Sequence, residues 1–127
     1  MLDIDGSQGE GGGQVLRSAL TLSLLTGRAF RLRRIRANRL PKTGLRAQHL
    51  ACVRAAAQIG QAQVTGDALG SGEITFVPGS VVSGRYHFAI GTAGATALLL
   101  HSVYLPLALA KQPSELVLEG GTHVEKA

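Results

Sequence analysis

Apolar residues recur along the chain with two different periods, and each change of period marks an element boundary. Leu2 to Ile4 alternates apolar and acidic positions and predicts a short strand. From Gly13 to Thr26 the period lengthens: Val15, Leu16, Ala19, Leu20 and Ser23 fall on one helical face, and Gly27 closes the helix. Alternation returns in "AFRLRRIRA", where Phe30 and Leu32 oppose Arg31 and Arg33, but the apolar phase then slips to Ile35 and Ala37. One extra residue in that register predicts a bulge near Arg33 and Arg34.

"NRLPKTG" carries loop chemistry, with Thr43 as an N-cap for a second helix from about Gly44 to Ile59 and Gly60 as its stop. Leu45, Cys52, Ala56 and Ile59 share a face of that helix. Strands are expected at Ala62 to Thr65 and Ile74 to Val77, separated by the turn-rich "GDALGSGE". The first eighty or so residues thus read strand, helix, strand, helix, strand, strand.

From Gly84 the order begins again. Tyr86, Phe88 and Ile90 alternate with Arg85, His87 and Ala89; "GTAGAT" opens a helix to about Lys111 that Pro106 should kink or interrupt; and "SELVLEGG" supplies a strand. The fold class expected is α+β, with repeated βαβαββ units, helices on one face of a four-stranded sheet, and the second unit incomplete. The units divide at 1–82 and 83–127. A strand and helix without their partners leave an apolar face uncovered, which predicts self-association.

Composition adds constraints. The chain has 127 residues, no Trp and few aromatics, so its core must be aliphatic. Cys52 is the single cysteine, which excludes an intrachain disulfide and a cysteine-based zinc site and points to a reducing, cytoplasmic setting. No signal-peptide pattern opens the chain. Ala93 to Ala110, although the longest apolar stretch, carries His101, Tyr104 and Pro106 and reads as a buried helix, so no membrane partner is expected.

The net charge of +5 is unevenly placed: eight of the 13 basic residues lie between Arg28 and Arg46, and no Asp or Glu occurs from Gly11 to Gly66. Such a field favours a nucleotide or nucleic acid, unless the arginines merely keep a strand edge soluble. "GSQGEGGGQVLRSALTLS" sharpens the question. Its glycines surround Glu10 where a helix begins, either as a tight solvated turn or as a cradle of backbone N–H groups for phosphate oxygens. Neither a P-loop nor a dinucleotide fingerprint fits, because no Gly-Lys-Ser/Thr follows and Gln14 stands where the third glycine is required.

Four segments in order, "DGSQGEGGGQVLRSALTLS", "IRANRLPKTGLRAQHL", "FAIGTAGATALLL" and "LEGGTHV", resemble the successive signatures of the RNA 3'-terminal phosphate cyclase family. The resemblance covers essentially the whole chain. It implies a ligase-class, RNA-processing enzyme in which a histidine takes AMP from ATP and passes it to an RNA 3'-phosphate. The neighbouring 2'-hydroxyl then displaces AMP to leave a 2',3'-cyclic phosphate. It also implies a divalent metal (Mg or Mn) beside the triphosphate, and a pocket for ATP and the RNA end lined by Glu10, Arg17, Arg36, Arg39, Gln48, His49 and His101.

The chain departs from the family pattern at three places. His101 stands where a Gln is usual, and Asn38 where a Gly is usual, an exchange that Asn tolerates in a left-handed backbone. None of the four histidines is followed by the Asp-Gln that marks the family's nucleophile, so these 127 residues alone are expected to be inactive. The alternative reading is a noncatalytic, cyclase-like RNA-binding or ribosome-assembly protein. Taken singly, Arg17 also fits a solvated helix face, His49 a hydrogen-bonded helix residue and Cys52 the core.

Overall fold

A computed structural model describes residues 1–7, 13–38, 42–90, 93–120 and 123–126. The order is β1 (Leu2–Asp5), α1 (Gly13–Thr26), β2 (Phe30–Arg33), α2 (Ala47–Gly60), β3 (Gln63–Thr65), β4 (Ile74–Val77), β5 (Arg85–Ala89), α3 (Ala93–Ala108), β6 (Glu115–Gly120) and β7 (His123–Lys126). The α+β expectation holds. β1 and β2 are parallel across α1, as a strand–helix–strand crossover requires, and β4 runs antiparallel between β2 and β3 to give the sheet order β1-β2-β4-β3. A three-stranded sheet, β5-β6-β7, repeats the parallel pair across α3.

Each sheet is buried on one face. In β2, Phe30 and Leu32 are buried while Arg31 and Arg33 are exposed, and in β4 Ile74 and Phe76 turn the same way. Phe30 faces Phe76 across the ladder, and their rings stack with centroids 5.5 Å apart. Leu116 and Leu118 of β6 are fully buried in the same way. Between the sheets lie the helices, and α3 is packed against α1, α2 and β6. One contiguous cluster therefore joins Leu16, Leu20 and Phe76 to Leu99, Val103 and Leu118. α1 and α2 thus cover one side of α3. A face carrying Ala97, His101, Tyr104 and Leu105 stays exposed, so the uncovered apolar face expected of the second unit is reduced rather than abolished.

Several boundaries differ from expectation for identifiable reasons. The second helix starts at Ala47 rather than Gly44, with Arg46 rather than Thr43 as the N-cap. Gly44 and Leu45 are committed elsewhere: the Gly44 N–H bonds the Ile35 carbonyl and the Leu45 N–H bonds that of Ser71. Gly44 has φ +79°, and a Cβ there would lie 2.2 Å from the Gly70 oxygen, so no other residue fits. Gly60 is not the stop but the last helical residue; Gln61 takes the left-handed position, and a Cβ on Gly60 would strike Leu24 of α1. β7 was not anticipated.

The expected bulge is present where β2 ends. Leu32 faces Ile74, yet the Ile35 N–H bonds Gly72, so three steps on one strand match two on the other. Arg34, at φ 56°, absorbs the extra residue, and Ile35 returns to the core.

Pro106 does not interrupt α3, since the helix runs on to Ala108. Proline has no N–H, so the carbonyl four residues earlier, that of Ser102, loses its helical partner. Thr21 of α1 supplies the replacement, its hydroxyl donating to the Ser102 oxygen at 2.8 Å. Removing that hydroxyl with Thr21→Val leaves a part-buried carbonyl unpaired and is expected to cost about 1–2 kcal/mol. Pro106→Ala restores an N–H to the same carbonyl, so in that background Thr21→Val should cost roughly 1 kcal/mol less. Urea unfolding of the two single variants and the double variant measures the coupling; equal costs in both backgrounds would refute it.

Candidate functional site

The carboxyl ends of the parallel strands β1 and β2 point towards the loops that precede α1 and α2, where ligands of open α/β sheets are usually held. At the end of β1, Asp5 accepts hydrogen bonds from the Ser7 N–H (2.9 Å) and the Ser7 hydroxyl (2.7 Å). Those bonds, reinforced by the nearby charges of Arg34 and Arg33, hold the Asp5 carboxyl below its ordinary range. Gly6 donates to the Arg33 carbonyl, and the Asn38 amide donates to the Ser7 carbonyl at 3.3 Å. The glycine-rich segment is thereby tied at its entry to the loop that follows β2.

Among the described residues of that loop the left-handed non-glycine positions are Arg34 and Arg36, and Asn38 instead contributes its side-chain amide. A non-glycine residue at positive φ is uncommon and persists only where its surroundings over-determine it. The Ile35 bonds on either side, to Gly72 and Gly44, do so here. Arg36 also reaches the Lys42 carbonyl at 3.4 Å.

The positive field read from the sequence is partly neutralised. Arg33 pairs with Asp3 at 2.9 Å, Arg34 with Asp5 at 3.5 Å and Arg31 with Glu73 at 4.0 Å. These three arginines are solvated partners of neighbouring carboxylates. Arg36 makes no such pair among the described residues.

His49, in the first turn of α2, is buried, and its Nδ1 accepts the Arg46 N–H at 3.1 Å. An acceptor at Nδ1 places the remaining proton of the neutral ring on Nε2. Burial, with the charges of Arg36 and Arg46 nearby, lowers the His49 pKa to about 4, so the ring is neutral at pH 7. Gln48 beside it is exposed. Cys52, one turn further, is core as expected: burial pushes its thiol up to about 12, against a hydrogen bond with Ser102.

Arg17 and His101 come together across the α1–α3 contact. An Arg17 guanidinium N–H donates to His101 Nδ1 at 3.4 Å, one turn from the point where Thr21 bonds the Ser102 and His101 carbonyls. Glu10 and Arg39 lie outside the described residues. An apolar groove of about 520 Å³ between α1 and the β1 edge is lined by Leu2, Ile4, Val15 and Leu22 and touches none of the described candidates. Among the described residues no three of His, Cys, Asp or Glu gather to hold a metal, and no helix is long and apolar enough to cross a membrane. Sequence reasoning missed Thr21, Ser102, Arg46 and the Asp5–Ser7 turn. Only Pro106, four residues after Ser102, carried a signal for any of them.

The model of the RNA 3'-terminal phosphate cyclases matches residues 8–127. The chain belongs to that family. Among proteins named RNA 3'-terminal phosphate cyclase, it is 55% identical to one from Koribacter versatilis over 97% of its own length and 54% identical to one from Archaeoglobus fulgidus over 98%. It covers 34% and 38% of those two proteins, so it spans about a third of the relatives it matches.

The buried His49 gives a pH signature. Unfolded, its ring takes up a proton near the ordinary 6.5; folded, only near about 4. Stability should therefore be flat above pH 6.5 from this group and fall as the pH drops towards 4, by up to about 3 kcal/mol. Gln keeps an acceptor for the Arg46 N–H but does not titrate, so chemical unfolding of His49→Gln should show a shallower acid slope than the parent. Identical slopes would contradict the assignment.

Proposed function

We propose that this chain forms part of the ATP and RNA-end site of an RNA 3'-terminal phosphate cyclase, working in the cytoplasm. The observation that supports the reading is the pairwise joining of family motifs distant in sequence. Asn38 of "IRANR" holds Ser7 of the glycine motif, and the charge of Arg36 reaches His49 of "RAQHL". Arg17 of the glycine motif meets His101, the residue that directly follows the third motif.

In this reading a histidine attacks the α-phosphorus of ATP, pyrophosphate leaves, and AMP passes to the RNA 3'-phosphate. The ribose 2'-hydroxyl then closes the cyclic phosphate and expels AMP. Arg17, Arg36 and Arg39 bind the phosphates, since guanidinium forks match phosphate oxygens and stabilise the charge that spreads during transfer. Glu10 and Gln48 orient the nucleotide and the RNA end. Neutral His49 contributes no charge at pH 7; it holds the Arg46 turn from which α2 springs. A divalent ion would accompany the triphosphate and neutralise part of its charge. None of this chain's histidines precedes Asp-Gln, so the attacking histidine comes from the part of a longer protein that the relatives possess and this chain does not span.

A second reading, a noncatalytic RNA-binding protein of the same family, is favoured by one observation: His101 stands where Gln is usual and engages Arg17. RNA ends separate the two. The 127-residue chain should bind ATP without acquiring covalent label from ATP labelled at the α-phosphate. It should also retain 3'-phosphorylated RNA better than 3'-hydroxyl RNA across a salt series. Arg36→Ala should weaken ATP binding by roughly tenfold, the worth of one charge-assisted hydrogen bond. Equal retention of both RNAs, with ATP binding unchanged in Arg36→Ala, would overturn the cyclase reading.

A further inference from the structure

We propose that His101 decides how much positive charge Arg17 can offer a phosphate, so that the pair acts as a proton-dependent anion clamp shared by α1 and α3. The inference rests on the nucleotide-site reading above and goes beyond it by assigning a charge state to the ligand subsite.

Arginine can only donate, so the 3.4 Å contact requires His101 Nδ1 to be unprotonated and accepting. In that state one guanidinium N–H is occupied and the imidazole is neutral. A proton on Nδ1 abolishes the acceptor. The two groups then present donors and like charges to each other at close range, an arrangement relieved by an anion between them. Histidine is the side chain whose charge changes between about pH 5 and 8, whereas the usual Gln could never make this change.

Among the described residues no free carboxylate compensates the second charge, which leaves solvent or a bound anion to do so. α1 contributes Arg17 and no acid; α2 contributes His49, Cys52 and Arg54 and no acid; α3 itself has none. From β6, Glu115 is engaged by Arg85 at 3.3 Å and Glu119 by His87 at 2.9 Å, both on the neighbouring strand. Thr21 fixes the two helices in register one turn away, so the pair cannot separate by sliding.

The test is ATP binding by the 127-residue chain at pH 8 and pH 6, beside His101→Gln. ATP and the other histidines titrate identically in both proteins, so only the difference between their pH slopes reports His101. The parent should gain roughly three- to fivefold more affinity on acidification than His101→Gln, the scale of an exposed charge pair. Nitrogen NMR of labelled histidine should show His101 unprotonated at Nδ1 at pH 8, and ATP should raise its proton affinity by linkage. ATP binding with the same slope in both proteins would overturn this inference and leave the cyclase reading standing. ATP that binds neither protein at either pH would overturn both.

Discussion

A proline that cannot donate sets the geometry of this molecule. Pro106 deprives the Ser102 carbonyl of its helical hydrogen bond, and the Thr21 hydroxyl takes the vacancy across the α1–α3 interface. A hydrogen bond of this kind has modest net worth, yet the alternative, a carbonyl left bare near a fully buried Ser102, is costly, so the helices are held in one register. Arg17 lies one turn before Thr21 on the same face of α1, and His101 adjoins Ser102. Registering the helices therefore also places the guanidinium against the imidazole. Ser102 is a junction in another sense, because its side chain faces Cys52 of α2 while also bonding the Leu98 carbonyl.

The arginines divide by backbone context. Those on regular β2 stand beside acidic residues of β1 and Glu73, which precedes β4, and are spent on exposed ion pairs, which contribute little stability but leave little net field. The backbone turns left-handed at Arg34 in the bulge, which still pairs with Asp5, and again at Arg36, which makes no ion pair among the described residues. The bulge thus separates structural from unspent charge. His49 adds to the contrast: with Arg36 and Arg46 close by, a charged imidazole would add a third positive group to a buried corner, and the ring stays neutral instead.

Local periodicity made most of the elements legible. α1 and β4 fall where the pattern put them, and the slip from Leu32 to Ile35 announced the bulge because a buried face tolerates no register error. Non-local bonding hid the rest. Nothing near Gly44 in sequence reveals that Gly70 lies against it, so the start of α2 was read three residues early. Gly60 looked like a stop because glycine favours left-handed caps, whereas its actual constraint is Leu24 on another helix. For the site, the motifs named the candidates but not their pairing. Arg17 and His101 are 84 residues apart, and only the packing of one unit on the other brings them together.

That packing joins the two sheets through one shared core. Each βαβ crossover buries one face of its sheet under a helix, and a helix so placed still has an apolar flank to cover. α1, α2 and α3 cover one another, pooling the cores of both units. The contact between Arg17 and His101, built across that shared layer, needs both α1 and α3. The Arg17–His101 contact is consequently coupled to the docking of α3, and a change at Pro106 reaches it through the Ser102 carbonyl and the Thr21 hydroxyl.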